Sequence, residues 1–269
     1  MNIITMNEVK VGYEKNIIID DLSLSIKKGQ ITTIIGENGC GKSTLLKTIG
    51  RILRPKHGEV FVEDLNIHKT NTKQIAKIIG MLPQSPKAPS GLSVGEIVEY
   101  GRFPHKKKRE RFNQEDHDII NWALEQTDLL EFKDRNINAL SGGQRQRVWV
   151  AMVLAQQTDV ILLDEPTTYL DMAYQLEVLQ LVQSLNKDKG ITVIMVLHDI
   201  NQASRFSDEL IMLKKGEVIR QGSPKEIMNK ENLREVFKIE ANIINLPDSE
   251  IPVCISYELM DREVHGGSK

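Results

Sequence analysis

The sequence predicts an α/β protein with a buried parallel core, a strand-rich N-terminal layer and an inserted block of helices. Three observations carry this expectation. Residues 31–35, 159–163 and 191–197 are short, continuous apolar runs, as strands covered on both faces require. From Ser93 the pattern turns helical over 94–100, 115–127 and 143–155, with charged loops between. An apolar content of 40% in 269 residues supplies a sizeable core.

Taken in order, residues 3–4, 9–11, 17–19 and 22–26 read as short strands punctuated by turns at Gly12 and Lys28-Gly29. Residues 58–62 and 65–67 extend that layer. After the helical block, strands 159–163 and 191–197 flank a helix over 172–186. A hairpin follows, with strands 209–213 and 217–220 around Lys214-Lys215-Gly216. Short helices over 224–229 and 232–237 come next. The tail beyond Glu240 has little periodicity, and 265–269 is expected to fray. The expected organisation is an α/β core with a helical subdomain inserted over about 88–157, and a C-terminal extension over 241–269.

Composition narrows the function. Charged residues make up 27% of the chain, and no apolar run approaches the roughly 18 residues of a membrane span. The net charge of −2 gives no footprint for nucleic acid. The two cysteines, Cys40 and Cys254, are far apart and form no disulfide framework. No charged-then-apolar leader is visible at the N-terminus. No His, Cys and carboxylate cluster has metal-site spacing. The expectation is a soluble protein of a reducing, cytoplasmic compartment.

The strongest chemical signal is Gly36-Glu37-Asn38-Gly39-Cys40-Gly41-Lys42-Ser43-Thr44, a G-x-x-x-x-G-K-S loop between an apolar strand and a helix. Backbone N–H groups that wrap a phosphate chain leave no room for Cβ atoms. The helix N-terminus adds its positive dipole end. Lys42 supplies a point charge for the β- and γ-phosphates, and the Ser43 hydroxyl can ligate Mg²⁺. Cys40, beside these N–H groups, is expected to be a nucleophilic thiol.

Two further stretches point to the same chemistry. Val160-Ile161-Leu162-Leu163-Asp164-Glu165 is an apolar strand ending in two carboxylates, aimed at the phosphate loop in a parallel sheet. Asp164 is expected to hold Mg²⁺, and Glu165 to activate the attacking water. Leu140-Ser141-Gly142-Gly143-Gln144 opens the helix over 143–155. Ser141 and Gln144 form a capping box, while a pair of glycines, costly in a helix, suggests a second anion-seeking N-terminus.

L-S-G-G-Q, the phosphate loop and L-L-D-E-P together resemble the ATP-binding cassette family, the motor subunits of ABC transporters. The resemblance covers about residues 1–240 and implies a P-loop NTPase (RecA-like) core with ATP and Mg²⁺ as ligands. It implies roles for Gln84, the Q-loop residue near Mg²⁺ and the permease, and for His198, the switch histidine at the γ-phosphate. Tyr13 matches the aromatic that stacks on adenine, and Asp171 the D-loop acid that reaches across the dimer. Lys42, Gln84, Glu165 and His198 form the implied catalytic set, with Ser43, Gln84 and Asp164 at the metal. Ser141, Gly142, Gly143 and Gln144 would act in trans, in a head-to-tail homodimer. Tyr169 and Glu37 depart from the family's usual residues.

Tyr100-Gly101-Arg102-Phe103-Pro104-His105 and the stretch Leu197-His198-Asp199-Ile200-Asn201-Gln202-Ala203-Ser204-Arg205-Phe206-Ser207-Asp208 resemble importers of iron–siderophore complexes, ferrichrome-type hydroxamates included. Haem and cobalamin importers share much of this text, and a soluble, non-transport ABC ATPase is a rival class. The importer resemblance implies transmembrane permease subunits as partners, an extracytoplasmic substrate-binding lipoprotein met indirectly, and a peripheral place on the cytoplasmic face of the membrane. Arg102 and His105 are expected either to couple to a permease or to line a solvated loop. The basic run Lys106-Lys107-Lys108-Arg109 with Arg111 reads as a solvated face or as a patch for anionic lipid.

Overall fold

The computed structural model describes residues 1–84, 86, 88–89, 91–107, 111–168, 170–245 and 250–260. Lys108, Arg109, Tyr169 and the frayed end expected over 265–269 lie outside the described residues.

The chain opens with two long strands, β1 (Asn2–Tyr13) and β2 (Asn16–Lys27), antiparallel with Tyr13 opposite Asn16. They replace the series of short strands expected from the sequence. Gly12 is not a turn but lies inside β1, where a Cβ would sit 2.0 Å from the Asn16 carbonyl oxygen of β2. The turn is made instead by Glu14 and Lys15, with Glu14 at φ 47°. β4 (His57–Val62) pairs with the other edge of β1, and β5 (Leu65–Asn66) closes the sheet in the order β2-β1-β4-β5.

The central sheet has six strands in the order β10-β9-β3-β8-β7-β6. These are β3 (Ile31–Ile35), β6 (Ile79–Leu82), β7 (Val160–Asp164), β8 (Thr192–Val196), β9 (Glu209–Lys214) and β10 (Glu217–Gly222). All are parallel except β10, which turns back on β9. Every residue of β3, β7 and β8 is buried, as expected of strands covered on both faces. The parallel direction brings the carboxyl ends of β3, β6, β7 and β8 to one edge, where open α/β sheets place their ligands.

Two apolar clusters cover the faces. In one, α1 (Lys42–Ile49) packs Leu45, Leu46 and Ile49 between the N-terminal sheet and Ile34, Leu162 and Val196. A short helix, α2 (Thr72–Ile75), capped by Asn71, adds Ile75. The other cluster gathers α3 (Val94–Glu99), α4 (Gln114–Gln126) and α5 (Gly142–Ala155), which lie between β6 and β7. Ser93 with Glu96, Asn113 with Asp116, and Ser141 with Gln144 each form a capping box that fixes a helix start. α6 (Met172–Lys189) and α7 (Ile200–Phe206) pack on the same face of the sheet.

Arg102 is neither a coupling surface nor a solvated loop residue. It is buried, with Nε 2.9 Å from Asp116 Oδ1 and Nη1 donating to the carbonyl oxygen of Ala155 at 2.9 Å. Removing one partner of such a buried pair would strand the other's charge. His105 is also turned inward, with Nε2 2.8 Å from the Gln156 carbonyl oxygen, and burial holds its ring below the usual imidazole range.

The tail is also more ordered than its pattern suggests. After α8 (Pro224–Ile227) and α9 (Lys230–Phe237), β11 (Ile239–Asn245) and β12 (Pro252–Leu259) pair antiparallel as a separate two-stranded sheet. Residue 240 therefore falls within a strand. Among the described residues no helix is long and apolar enough to cross a membrane.

Candidate active site

The phosphate loop connects β3 to α1. Gly36 has φ 153°, and a Cβ there would lie 2.1 Å from the Leu213 carbonyl oxygen, so only glycine fits. Gly41 precedes α1 in the left-handed region, φ 110°, and offers no side chain to cap the helix. The first N–H groups of α1 are thus left for a ligand, at the positive end of the helix dipole. Lys42 is only 5% exposed and folds back over the loop. Its Nζ donates to the carbonyl oxygens of Gly36 at 2.8 Å and Glu37 at 2.9 Å. A cavity of 240 Å³ is bounded by Ile18, Asn38, Gly39, Gly41, Lys42, Ser43, Thr44 and Glu165. A larger one, 650 Å³ between α6 and α7, is lined by none of the predicted site residues. The chemistry of the loop, rather than cavity size, selects the smaller.

β7 delivers both carboxylates to this cavity's edge. The Ser43 hydroxyl donates to Asp164 Oδ1 at 2.8 Å, while Asp164 Oδ2 is buried with no hydrogen-bond partner. Burial pushes the Asp164 carboxyl up, opposed by the Ser43 hydrogen bond and the Lys47 and Lys42 charges. A buried carboxylate oxygen without a partner beside a serine hydroxyl suits a hard, oxygen-seeking cation. Among the described residues no group of three or more His, Cys, Asp and Glu could hold a metal by itself. Mg²⁺ does not require one, because it takes one or two carboxylates with phosphate oxygens and water.

Glu165, next in the chain, sits at φ 53° in a conformation side-chain-bearing residues adopt at a cost. Three side chains from three segments converge on its carboxylate. His198 Nε2 lies 2.6 Å from Oε1. The Thr168 hydroxyl donates to Oε2 at 3.1 Å, and the Gln84 amide donates to the same oxygen. Gln84 follows β6 and His198 follows β8, so the neighbouring strands of β7 each supply one partner. The carboxylate only accepts, so the His198 contact places a proton on Nε2.

Other predicted residues sit apart from this cluster. Tyr13, at the end of β1, is 46% exposed and does not line the cavity. Asp171 caps α6, accepting the Tyr174 N–H at 3.1 Å. Ser141 and Gln144 satisfy one another in their capping box, and none of 141–144 lines the phosphate-loop cavity. Gly142 is exposed as expected, but Gly143 is buried, and a Cβ there would lie 3.1 Å from the Tyr174 ring. Its glycine therefore has a packing reason as well. Cys40 is not the reactive thiol expected: it is buried, and burial pushes the thiol up despite the nearby Lys42 charge. Ile18 and Thr168 contribute to the site without any local signature. Ile18 is one apolar residue in a strand, and Thr168 stands out only through its position three residues after Glu165.

A phosphate loop after the first core strand, an acid pair after the third in the sheet, and a capped glycine pair on an inserted helix define a cassette-type ATPase. The chain belongs to the ABC transporter family, which it matches over residues 19–168. It is 54% identical over 263 residues to the iron(3+)-hydroxamate import ATP-binding protein FhuC of Bacillus subtilis, covering 98% of each chain. It is 45% identical to the petrobactin import ATP-binding protein FpuD of Bacillus anthracis, covering 92% of this chain and 90% of that one. Among solved structures it resembles the ATP-binding cassette MJ0796, a dimer in a post-hydrolysis state bound to ADP and Pi. That match has a TM-score of 0.72 and 34% identity, and covers 82% of this chain and 98% of the other.

Proposed function

We propose that this chain binds and hydrolyses ATP to energise uptake of iron(III)–siderophore complexes, hydroxamates foremost, through a membrane permease. The hydrolytic half of the reading is carried by the convergence of His198, Gln84 and Thr168 on Glu165 at the end of β7. The substrate half is supported by likeness along nearly the whole chain to a hydroxamate importer's ATPase.

Lys42 leaves the loop carbonyls for the β- and γ-phosphates, and the uncapped start of α1 receives the phosphate chain. Ser43 and Asp164, with Gln84, would hold Mg²⁺, which would supply charge neutralisation for the phosphate oxygens. Glu165 accepts the proton of the attacking water, a role worth about 10²–10⁴ in rate. His198 and Gln84 hold that carboxylate in place, and with nucleotide bound they would turn toward the γ-phosphate side of the site. Tyr13 lies against adenine.

Two copies pair head to tail, so that Ser141, Gly142, Gly143 and Gln144 of one complete the site of the other, with Asp171 at the seam. Charge-assisted hydrogen bonds of about 1.5–3 kcal/mol each favour closure with triphosphate and are lost on hydrolysis. That difference between states is what can move a permease. The dimer sits on the cytoplasmic face of the membrane, and an extracytoplasmic lipoprotein delivers the chelate without touching this chain.

The test is ATP turnover of the chain reconstituted with its permease, with binding protein loaded with a ferric hydroxamate, haem or cobalamin. Stimulation by the ferric hydroxamate is expected. Stimulation by haem or cobalamin alone reassigns the substrate, and turnover indifferent to all three removes the importer reading.

A further inference from the structure

Of the stretch that follows β8, the hydrolytic reading uses only His198. The side chains after it are committed to two other parts of the molecule. Asp199 caps α7, accepting the N–H groups of Asn201 at 2.8 Å and Gln202 at 2.9 Å. Asn201 then meets the C-terminal hairpin at two points. Its Nδ2 donates to the Cys254 carbonyl oxygen at 2.9 Å, and its Oδ1 accepts the Cys254 N–H at 2.8 Å. One turn later the Ser204 hydroxyl donates to the Pro252 carbonyl oxygen at 2.8 Å. Gln202 donates to Gln175 Oε1 of α6 at 2.6 Å.

The pairing with Cys254 is a side chain imitating a strand. Among the described residues β12 pairs with β11 on one side, so its other edge presents backbone donors and acceptors to other partners. The Asn201 amide meets one of each on the same residue, which fixes α7 against the hairpin in both distance and direction. Among the described residues, the polar contact of the His198 side chain is with Glu165 Oε1, and that side chain is 46% exposed. The backbone that carries the ring runs straight into the cap of α7. A cavity of 280 Å³ beside this segment is bounded by His198, Asp199, Ile200, Asn201, Phe237, Ile239 and Tyr257, so hairpin and switch face one another.

We propose that Asn201 is a positioning residue for the switch histidine, and that the C-terminal hairpin is the anchor that sets His198 against Glu165. This rests on the reading of His198 as part of the hydrolytic machinery. The hairpin reaches the chemistry through Cys254 to Asn201, Asn201 to the start of α7, and α7 to His198. Loss of the anchor leaves the phosphate loop intact, so nucleotide binding is untouched while the ring wanders from the base.

The test uses the full chain and measures steady-state ATP turnover, ATP affinity and thermal midpoint. Asn201→Leu removes both hydrogen bonds at similar size, and Asn201→Asp keeps the bond from the Cys254 N–H while opposing the carbonyl. Turnover is expected to fall about tenfold in the Leu variant and less in the Asp variant, with ATP affinity within about twofold of wild type. In a His198→Ala background, Asn201→Leu is expected to change turnover no further, because the ring it positions is gone. A merely structural asparagine would lower turnover by the same factor in both backgrounds. That result, or unchanged turnover in Asn201→Leu, overturns the proposal. His198→Ala alone separates the two readings. If it keeps wild-type turnover, the hydrolytic role of His198 falls and the positioning role with it. If it loses turnover while Asn201→Leu does not, only the anchor falls.

Discussion

α1 and α5 both begin in glycine-bearing motifs, and their N-termini are built in opposite ways. Gly41 enters α1 in the left-handed region with no side-chain cap, and acids from β7 stand beside it. Ser141 enters α5 from an extended conformation, φ −63° and ψ 165°, and closes a full capping box with Gln144. The first terminus has no side-chain cap, a lysine folded onto its own loop, and a buried Asp164 oxygen without a hydrogen-bond partner. The second is finished in its own chain and presents only the open Gly142 position. One helix start holds a site assembled within a subunit. Under the proposed function, the other would gain its chemical role in the site of a second copy.

The largest effect should come from the self-contained half. Glu165→Gln keeps the shape but cannot take a proton, so turnover should fall by about 10²–10⁴. ATP binding should persist, and the ATP-bound dimer should accumulate on size-exclusion chromatography. Turnover near wild type would mean that the carboxylate on which His198, Gln84 and Thr168 converge is not the base.

The glycine pair sharpens the other half. An alanine at 142 has nothing within 4 Å, whereas one at 143 must displace the Tyr174 ring. Gly143→Ala requires the Tyr174 ring to give by a few tenths of an ångström, so its thermal midpoint should fall below that of Gly142→Ala. Gly142→Ala should melt no lower than wild type, since alanine favours helix by up to about 1 kcal/mol, yet turn over ATP several-fold more slowly. Full activity in Gly142→Ala would leave α5 as a capped helix and nothing more.

The same contrast explains what could be read before folding. The phosphate loop, the acid pair and the Ser141–Gln144 capping box are local: each lies within a few consecutive residues, and the structure finds each where the pattern places it. β6 is four residues long and contains Gly80, too short to show a period. The hairpin β11–β12 hides its alternation because Ile255, Tyr257 and Leu259 are apolar yet exposed. Arg102 reads as a loop arginine because its partners, Asp116, Ala155 and Gln157, are 14, 53 and 55 positions away. Asn201 is the same kind of case, since Cys254 lies 53 residues on. Thus the local motifs are legible in the sequence, and the side chains whose partners lie far along the chain are not.

The smallest effect tests whether the α1 half is strained toward its ligand. Burial holds the Asp164 carboxyl above its unfolded-state value, so the folded chain binds that proton more readily than the unfolded one. By linkage, the ionised carboxylate then costs stability at neutral and alkaline pH, and the cost fades as pH falls through the raised value. Asp164→Asn puts a neutral amide in its place, whose oxygen can still accept the Ser43 hydroxyl. Without nucleotide or metal, this variant should melt above wild type at pH 8, by about 2–4 °C for each kcal/mol recovered. The gap should narrow as the pH is lowered through the raised value. Adding Mg²⁺ and ATP should reverse the order, because ligand binding stabilises the wild type by an amount the weaker-binding variant cannot match. A variant that melts lower than wild type at pH 8 without ligand would show that the Asp164 carboxylate does not cost the folded chain stability. The difference between the two helix starts would then lie in their caps alone.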